Sequence, residues 1–574
     1  MRNRAVFTGV VLAIVVGLGP TIDEVAAAQS GPVTDEMLRN PDPNDWLMMR
    51  RTYDAQSYSP LDQINRDNVQ DLELVWAWGI EKTLIRVDDQ VGPIVHDGVM
   101  YLSMPGGLVQ ALDAATGDFL WEFRHPMTGR FEGRPGGIRG GLVLYGDKAY
   151  VHTADGKLVA INTADGSLAW ESTVFDPEDR YSISSTGLVV DGKILSGVRC
   201  GGFGVNRCFI VAHDAQTGRE LWRRYTTAAP GEPGGDTWAG LDLIFRAGGD
   251  PWMTGTYDPE LDLIFWGAAQ AKPWHRVSRE TGDSELLYTS STLALDPDTG
   301  EIQWHYQYVP GESFDMDEHF AFINVDVEGR ESGFMMGKHG ILWEVDRRTG
   351  ELVRASDTGL QNLADIDPET GFVGYRPGMV APLGESVFMC PSLSGFKTAR
   401  EMAYNPLTQA FYIPMSLNCA HQGFVEMAYV EGRGGVGGCC RVAEFHPDYP
   451  GILGQLLAMD VNGEELWVYR QKAQLSSSVM STAGGLAFVG DTERYVRAFD
   501  TETGDVLWRT RLTTKISGWP MSYGVDGRQY IAIITGLDAH GWIARVARPL
   551  QPEIVWPMAG TAVFVFALPE NVGP

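Results

Sequence analysis

Short apolar runs broken by polar turns recur along the sequence, and the turns are alike. Ala111-Leu-Asp-Ala-Ala-Thr-Gly-Asp-Phe-Leu-Trp121 returns as Ala160-Ile-Asn-Thr-Ala-Asp-Gly-Ser-Leu-Ala-Trp170 and as Ala212-His-Asp-Ala-Gln-Thr-Gly-Arg-Glu-Leu-Trp222. It returns again as Ala294-Leu-Asp-Pro-Asp-Thr-Gly-Glu-Ile-Gln-Trp304 and Ala498-Phe-Asp-Thr-Glu-Thr-Gly-Asp-Val-Leu-Trp508. Glu344-Val-Asp-Arg-Arg-Thr-Gly350 and Ala458-Met-Asp-Val-Asn-Gly463, leading to Trp467, are weaker copies that bring the number to seven. Each copy predicts a β-hairpin: an apolar strand residue precedes Asp or Asn, whose side chain satisfies turn amides, and Gly supplies the positive φ. The strand after the turn presents a Trp large enough to fill the gap between neighbouring sheets.

Several copies are preceded by a further strand pair, as in Val143-Leu-Tyr-Gly-Asp-Lys-Ala-Tyr-Val151 and Gly187-Leu-Val-Val-Asp-Gly-Lys-Ile-Leu195. Four strands per unit, repeated radially, predict an all-β fold, a β-propeller. An eighth blade is expected from the two ends of the chain, Leu72 to Trp78 pairing with apolar strands between Ile554 and Val565, which also removes exposed sheet edges. The expectation is one eight-bladed domain over residues 29–574, with longer insertions around 223–290 and 357–457.

Composition agrees with strands and turns: among 574 residues, 68 are Gly and 17 are Trp, and long helical patterns are scarce. The formal charge of -29 argues against nucleic acid or an anionic membrane surface as partner and suits docking to a basic protein. Met1 to Ala28 has Arg2 and Arg4, an apolar run from Ala5 to Leu18 and Ala26-Ala27-Ala28 before Gln29, the pattern of a cleaved export signal. Export permits disulfides, and the expected pairs are Cys200 with Cys208, Cys390 with Cys419, and the adjacent Cys439 and Cys440. Spacing leaves that connectivity open. There is no Cys-x-x-Cys, hence neither a zinc-ribbon nor a haem-attachment motif.

Candidate chemistry gathers between Gly248 and Asp317. Trp252 is an aromatic plate in a glycine-rich loop, Gln270 follows an apolar strand, and Asp315 and Asp317 lie on alternate residues. A flat redox cofactor beside a hard metal ion needs such a surface, a neutral oxygen and paired carboxylates.

The Asp-x-x-Thr-Gly-x-x-x-Trp repeat, Tyr58-Ser-Pro-Leu-Asp-Gln-Ile-Asn-Arg66, Tyr257-Asp-Pro-Glu-Leu261 and Tyr288-Thr-Ser-Ser291 together resemble the pyrroloquinoline quinone (PQQ)-dependent alcohol dehydrogenases, from about Asp45 to Gly536. The resemblance implies PQQ on the propeller axis, between a tryptophan floor and a ceiling of two disulfide-linked adjacent cysteines, with calcium or a lanthanide ion on the quinone. Trp252 matches the floor and Asp315 the catalytic base, since Trp304-His-Tyr-Gln307 and Pro310 stand in the family's places before it. Gln270, Asp315 and Asp317 match metal positions. Lys338 matches a cation touching the quinone oxygens, Arg139 an arginine on a PQQ carboxylate, and Thr153 and Ser185 or Thr186 hydroxyl contacts.

Four departures qualify the resemblance. Glu132-Gly-Arg-Pro-Gly-Gly137 stands where the adjacent cysteines belong, while Cys439-Cys440 lies in a different insertion, either as a replacement ceiling or as a structural or reduced pair. Gly202 stands where a metal-binding Glu belongs, Gln270 replaces an Asn, and Thr398-Ala399 replaces an Asn-Trp pair. A wider site implies a bulky alcohol. The expected function is a periplasmic PQQ-dependent dehydrogenase of a primary or secondary alcohol, with a separate soluble cytochrome c as electron acceptor. The alternatives are a cofactor-less propeller serving as a scaffold, and a PQQ dehydrogenase of a sugar or aldehyde.

Overall fold

The computed structural model describes residues 30–80, 92–104, 107–129, 141–536, 541–557 and 559–570. The leader from Met1 to Ala28 and the candidate Arg139 lie outside the described residues. Among the described residues, strands assemble into eight antiparallel-dominated sheets of four or five strands and three smaller sheets. No described helix is long and apolar enough to cross a membrane.

The repeat turns fold as their residues dictate. Asp113, Asp214, Asp296, Asp346 and Asp500 each accept hydrogen bonds from the amides two and three residues on. The tryptophan of one repeat then seats on the turn glycine of the next: Trp76 on Gly117, Trp121 on Gly166, Trp170 on Gly218, Trp222 on Gly300, Trp304 on Gly350 and Trp467 on Gly504. At Gly117 a Cβ would come within 2.7 Å of the Trp76 ring, and φ there is 76°, so both the backbone and the neighbouring indole demand glycine. At most joints the indole nitrogen adds a bond, Trp121 Nε1 donating to Thr163 O at 2.8 Å and Trp304 Nε1 to Arg347 O at 3.0 Å, while Trp170 Nε1 has no partner among the described residues. The chain of joints skips one step. The Glu344 to Gly350 copy has no trailing tryptophan, and Gly463 meets Ser356 instead.

The chain ends meet in one sheet. Glu73–Gly79 pairs antiparallel with Ala562–Ala567, which continues to Arg528–Thr535 and Met521–Val525. The C-terminal partner is shorter than the expected segment. Ile554 and Trp556 pack instead with Val546 and Ala547 of the helix Trp542–Leu550. The two long insertions also carry blade strands. Between 223 and 290, Thr256–Asp258 and Leu263–Ala268 pair with each other, while Ala247–Gly248 pairs with Ala271–Lys272. Between 357 and 457, the hairpin Ala364–Ile366 with Val373–Tyr375 and a sheet of Ser386–Met389, Asn418–Phe424 and Gly438–Phe445 stand apart from the blade strands.

Candidate active site

Three loops that leave blade strands converge. Gln270 follows Leu263–Ala268, Asp315 and Asp317 follow Ile302–Gln307, and Lys338 follows Arg330–Met336. Alternation sets the loop of the two carboxylates. Phe314 and Met316 are buried in an apolar cluster with Leu363, Met389 and Phe424, which leaves Asp315 and Asp317 to face Lys338. Arg279, fully buried, anchors the start of this loop by donating to Gly311 O at 3.2 Å and Glu312 O at 2.7 Å. Asp315 takes a φ of 57°, a left-handed conformation that Asp tolerates better than most residues.

Lys338 Nζ lies 2.8 Å from Asp317 Oδ2 and 3.3 Å from Asp315 Oδ2, and donates to Asp315 O at 2.6 Å. Gln270 Nε2 donates to Asp315 Oδ1. Burial, followed by the charge of Asp317, pushes the Asp315 carboxyl well above the usual range, against the pull of Lys338. Burial works against the Lys338 ammonium, but Asp315 and Asp317 outweigh it and hold its pKa above the ordinary value. Two buried oxygens of this cluster, Gln270 Oε1 and Asp317 Oδ1, have no hydrogen-bond partner among the described residues. Such a group costs about 1–3 kcal/mol when left unsatisfied. Hard oxygens beside two carboxylates fit a calcium-like or lanthanide-like cation, which would satisfy both.

Trp252 is joined to the cluster through His319. The two rings lie 4.9 Å apart, Phe320 stands 5.6 Å from Trp252, and His319 Nδ1 is 3.8 Å from Asp317 Oδ1. Burial lowers the His319 pKa to about 4, so the imidazole is neutral at pH 7. Lys397, itself paired with Glu401 at 2.6 Å, sits over the Phe320 ring. The Trp252 loop is fixed by a close approach at Gly248, where φ is 109° and a Cβ would collide with Gln270 O, and by Ser184 Oγ donating to Trp252 O at 3.2 Å. Trp252 is half-buried while Asp250, Pro251, Met253 and Thr254 are buried. An indole with uncovered surface beside a cation-ready oxygen set fits a planar quinone.

The structure thus brings together Trp252, Gln270, Asp315, Asp317 and Lys338. Thr153 and Ser185 are engaged elsewhere. Thr153 Oγ1 donates to Asp155 Oδ1 at 2.5 Å and accepts from Lys157 N, while Ser185 Oγ accepts from Gly197 N and donates to Gly197 O. Thr186 Oγ1 accepts from Gly141 N at 2.7 Å.

Cys200–Cys208 and Cys390–Cys419 are disulfides, as expected, but Cys439 and Cys440 are free thiols with sulfurs 2.8 Å apart. They stand in the strand Gly438–Phe445, where Cys440 takes a φ of 54° and the pairing with Asn418–Phe424 shifts register, an irregularity that brings the two sulfurs together without a bond. The glycine-rich loop before them docks on Gly202, which bridges to Gly435. Sequence reasoning passed over His319, Phe320, Ser184, Asp250 and Lys272. The signal for the last two was spacing, since Asp250 precedes Trp252 by two residues and Lys272 follows Gln270 by two.

Residues 46–355 and 453–531 match the family model described as PQQ, glucose/ethanol/alcohol dehydrogenase, beta-propeller domain. The chain is 34% identical to the quinohemoprotein alcohol dehydrogenase ADH IIB of Pseudomonas putida, over 86% of this chain and 73% of that protein. It is 33% identical to the quinoprotein alcohol dehydrogenase PedH of Pseudomonas putida, over 95% of each. Among solved structures, a europium-containing methanol dehydrogenase superposes with a TM-score of 0.85 at 28% identity, over 93% of this chain and 100% of that one.

Proposed function

The chain belongs to the PQQ-dependent quinoprotein alcohol dehydrogenases, and we propose that it oxidises a bulky primary or secondary alcohol in the periplasm, with Asp315 as base and a soluble cytochrome c as electron acceptor. The observation that carries this reading is the buried cluster of Asp315, Asp317, Gln270 and Lys338 beside a half-open Trp252. PQQ with a metal ion, when bound, supplies the two-electron acceptor and its Lewis acid.

The chain's own residues do the rest. Trp252, backed by His319 and Phe320, offers a rigid plate. Gln270, Asp315 and Asp317 would hold the cation through oxygen. Asp315 takes the hydroxyl proton of the substrate. Lys338 fixes the Asp315 backbone and carboxylate and adds a permanent positive charge where negative charge develops. The bulky-substrate reading is supported by the free thiols at 439 and 440, which form no disulfide ceiling. The acidic surface suits a basic redox partner by electrostatic steering.

The test is to incubate the purified chain with PQQ and either calcium or a light lanthanide, then to follow dye reduction by a panel of alcohols. We expect turnover with a preference for larger alcohols. Activity confined to methanol would remove the bulky-substrate reading, and no dye reduction with either metal would remove the reaction.

A further inference from the structure

The space beside Gly202 is filled by a lysine. A Cβ built on Gly202 would come 3.3 Å from Cδ of Lys272. The Lys272 ammonium lies 2.7 Å from each carboxylate oxygen of Asp250, and Arg199 Nε stands 3.7 Å from Oδ1. Asp250 is buried, and although burial alone would raise its pKa, Lys272 and then Arg199 hold it below the ordinary value.

This pair adjoins the cation cluster. Lys272 is two residues beyond Gln270, and the pairing of Ala247–Gly248 with Ala271–Lys272 carries the Asp250 loop across it. Ala269 N donates to Asp250 O, and Gly249 N to Gln270 O at 3.1 Å. Asp250 also lies within electrostatic reach of His319, whose Nδ1 is 3.8 Å from Asp317 Oδ1.

The charge count follows from these contacts. Asp315 and Asp317 supply two negative charges, Gln270 none, and Lys338 between the carboxylates offsets one. Buried Glu312 lies within electrostatic reach of Asp315, and Asp250 is a further nearby carboxylate that could serve a more highly charged ion, one that Lys272 neutralises. An excess of positive charge in a buried site is costly, and the cost grows with the charge of the ion. We propose that Lys272 is a specificity-determining residue for the cation: by neutralising Asp250 beside the site, it holds down the binding of trivalent relative to divalent ions. This rests on the reading that the Asp315 cluster holds a cation.

The experiment measures binding rather than turnover. Calcium chloride and lanthanum chloride are each titrated calorimetrically into the wild-type chain and its variants, with and without PQQ, with folding checked by circular dichroism. We expect a unit change of charge beside the site to alter the La³⁺ to Ca²⁺ affinity ratio by about tenfold. The ratio should rise about tenfold in Lys272→Met and fall about tenfold in Asp250→Asn. It should stay within about twofold of wild type in Lys272→Arg and in the charge-neutral double variant Lys272→Met/Asp250→Asn, where the two effects of a unit charge cancel. Should Lys272→Met not fold, Asp250→Asn and the double variant still decide. An unchanged ratio in the folded single variants overturns the role of Lys272 and leaves the proposed function standing. Failure of the wild-type chain to bind either ion overturns both.

Discussion

Around Gly504 polar groups are paired off in a repeated pattern: Asp500 accepts from Glu502 N and Thr503 N, and the Trp467 indole nitrogen of the preceding repeat reaches Thr501 O at 3.1 Å. Between Gln270 and Lys338 the arrangement is reversed. Partners come from three separate loops, four of the groups are buried, and the oxygens Gln270 Oε1 and Asp317 Oδ1 have no partner among the described residues. The first region satisfies its polar groups through the same turn and indole bonds that recur in the other repeats. The second stores unmet hydrogen-bonding capacity and like charge in one place, an arrangement that stability alone would not favour and that a bound cation and cofactor would relieve.

The contrast breaks most visibly at Asp315. Asp315→Ala should lower kcat by about 10²–10⁴-fold, the span typical of a lost general base, with PQQ binding retained by fluorescence titration and the melting temperature little changed. Full turnover in that variant would take Asp315 out of the base role. The framework should show the opposite split. In Gly504→Ala the new methyl comes within 2.6 Å of the Trp467 ring, at a backbone φ of 76°. The expected loss is about 1–3 kcal/mol of stability, seen as a lower denaturant midpoint, with kcat per folded molecule unchanged. A normal midpoint would show that the tryptophan joint is softer than its geometry implies.

The same contrast explains what could be read from the chain. The Asp-x-x-Thr-Gly-x-x-x-Trp hairpins were legible because turn acceptor, positive-φ glycine and tryptophan recur at fixed spacing within a dozen residues, although each indole docks on the following repeat. Asp315 and Asp317 were legible for a similar reason, since alternation with Phe314 and Met316 divides the loop into an apolar and an acidic side. The hydroxyl of Thr153 is engaged by Asp155, two residues away. Cys439 and Cys440 stand side by side as thiols, an outcome that adjacency in sequence leaves open. Lys272 had a spacing signal, two residues beyond Gln270, but its meaning depends on Gly202, 70 residues earlier and brought beside it only by the fold. Local rules specify the framework, and non-local charge balance specifies the site.

A buried ion pair inside the framework offers the smallest and cleanest check. His96 Nδ1 lies 2.7 Å from Asp45 Oδ2, its Nε2 is 3.1 Å from Gly31 O, and Asp97 Oδ2 is 3.6 Å away, so the pair ties the N-terminal segment to the first described blade. Burial disfavours the imidazolium, but the hydrogen bond and charge of Asp45, with help from Asp97, outweigh it and raise the His96 pKa. A group whose folded pKa is raised contributes stability that is fully present below its unfolded pKa, about 6.5, and is lost as pH rises through the folded value. The wild-type melting temperature should therefore slope slightly downward across that window, and His96→Asn should flatten this component. Because the pair is fully hydrogen-bonded and remote from Asp315 in function, kcat of the variant should follow the wild-type pH profile. A change in that profile would mean that buried charge in the framework and buried charge in the site are coupled, and that the two regions do not obey separate rules.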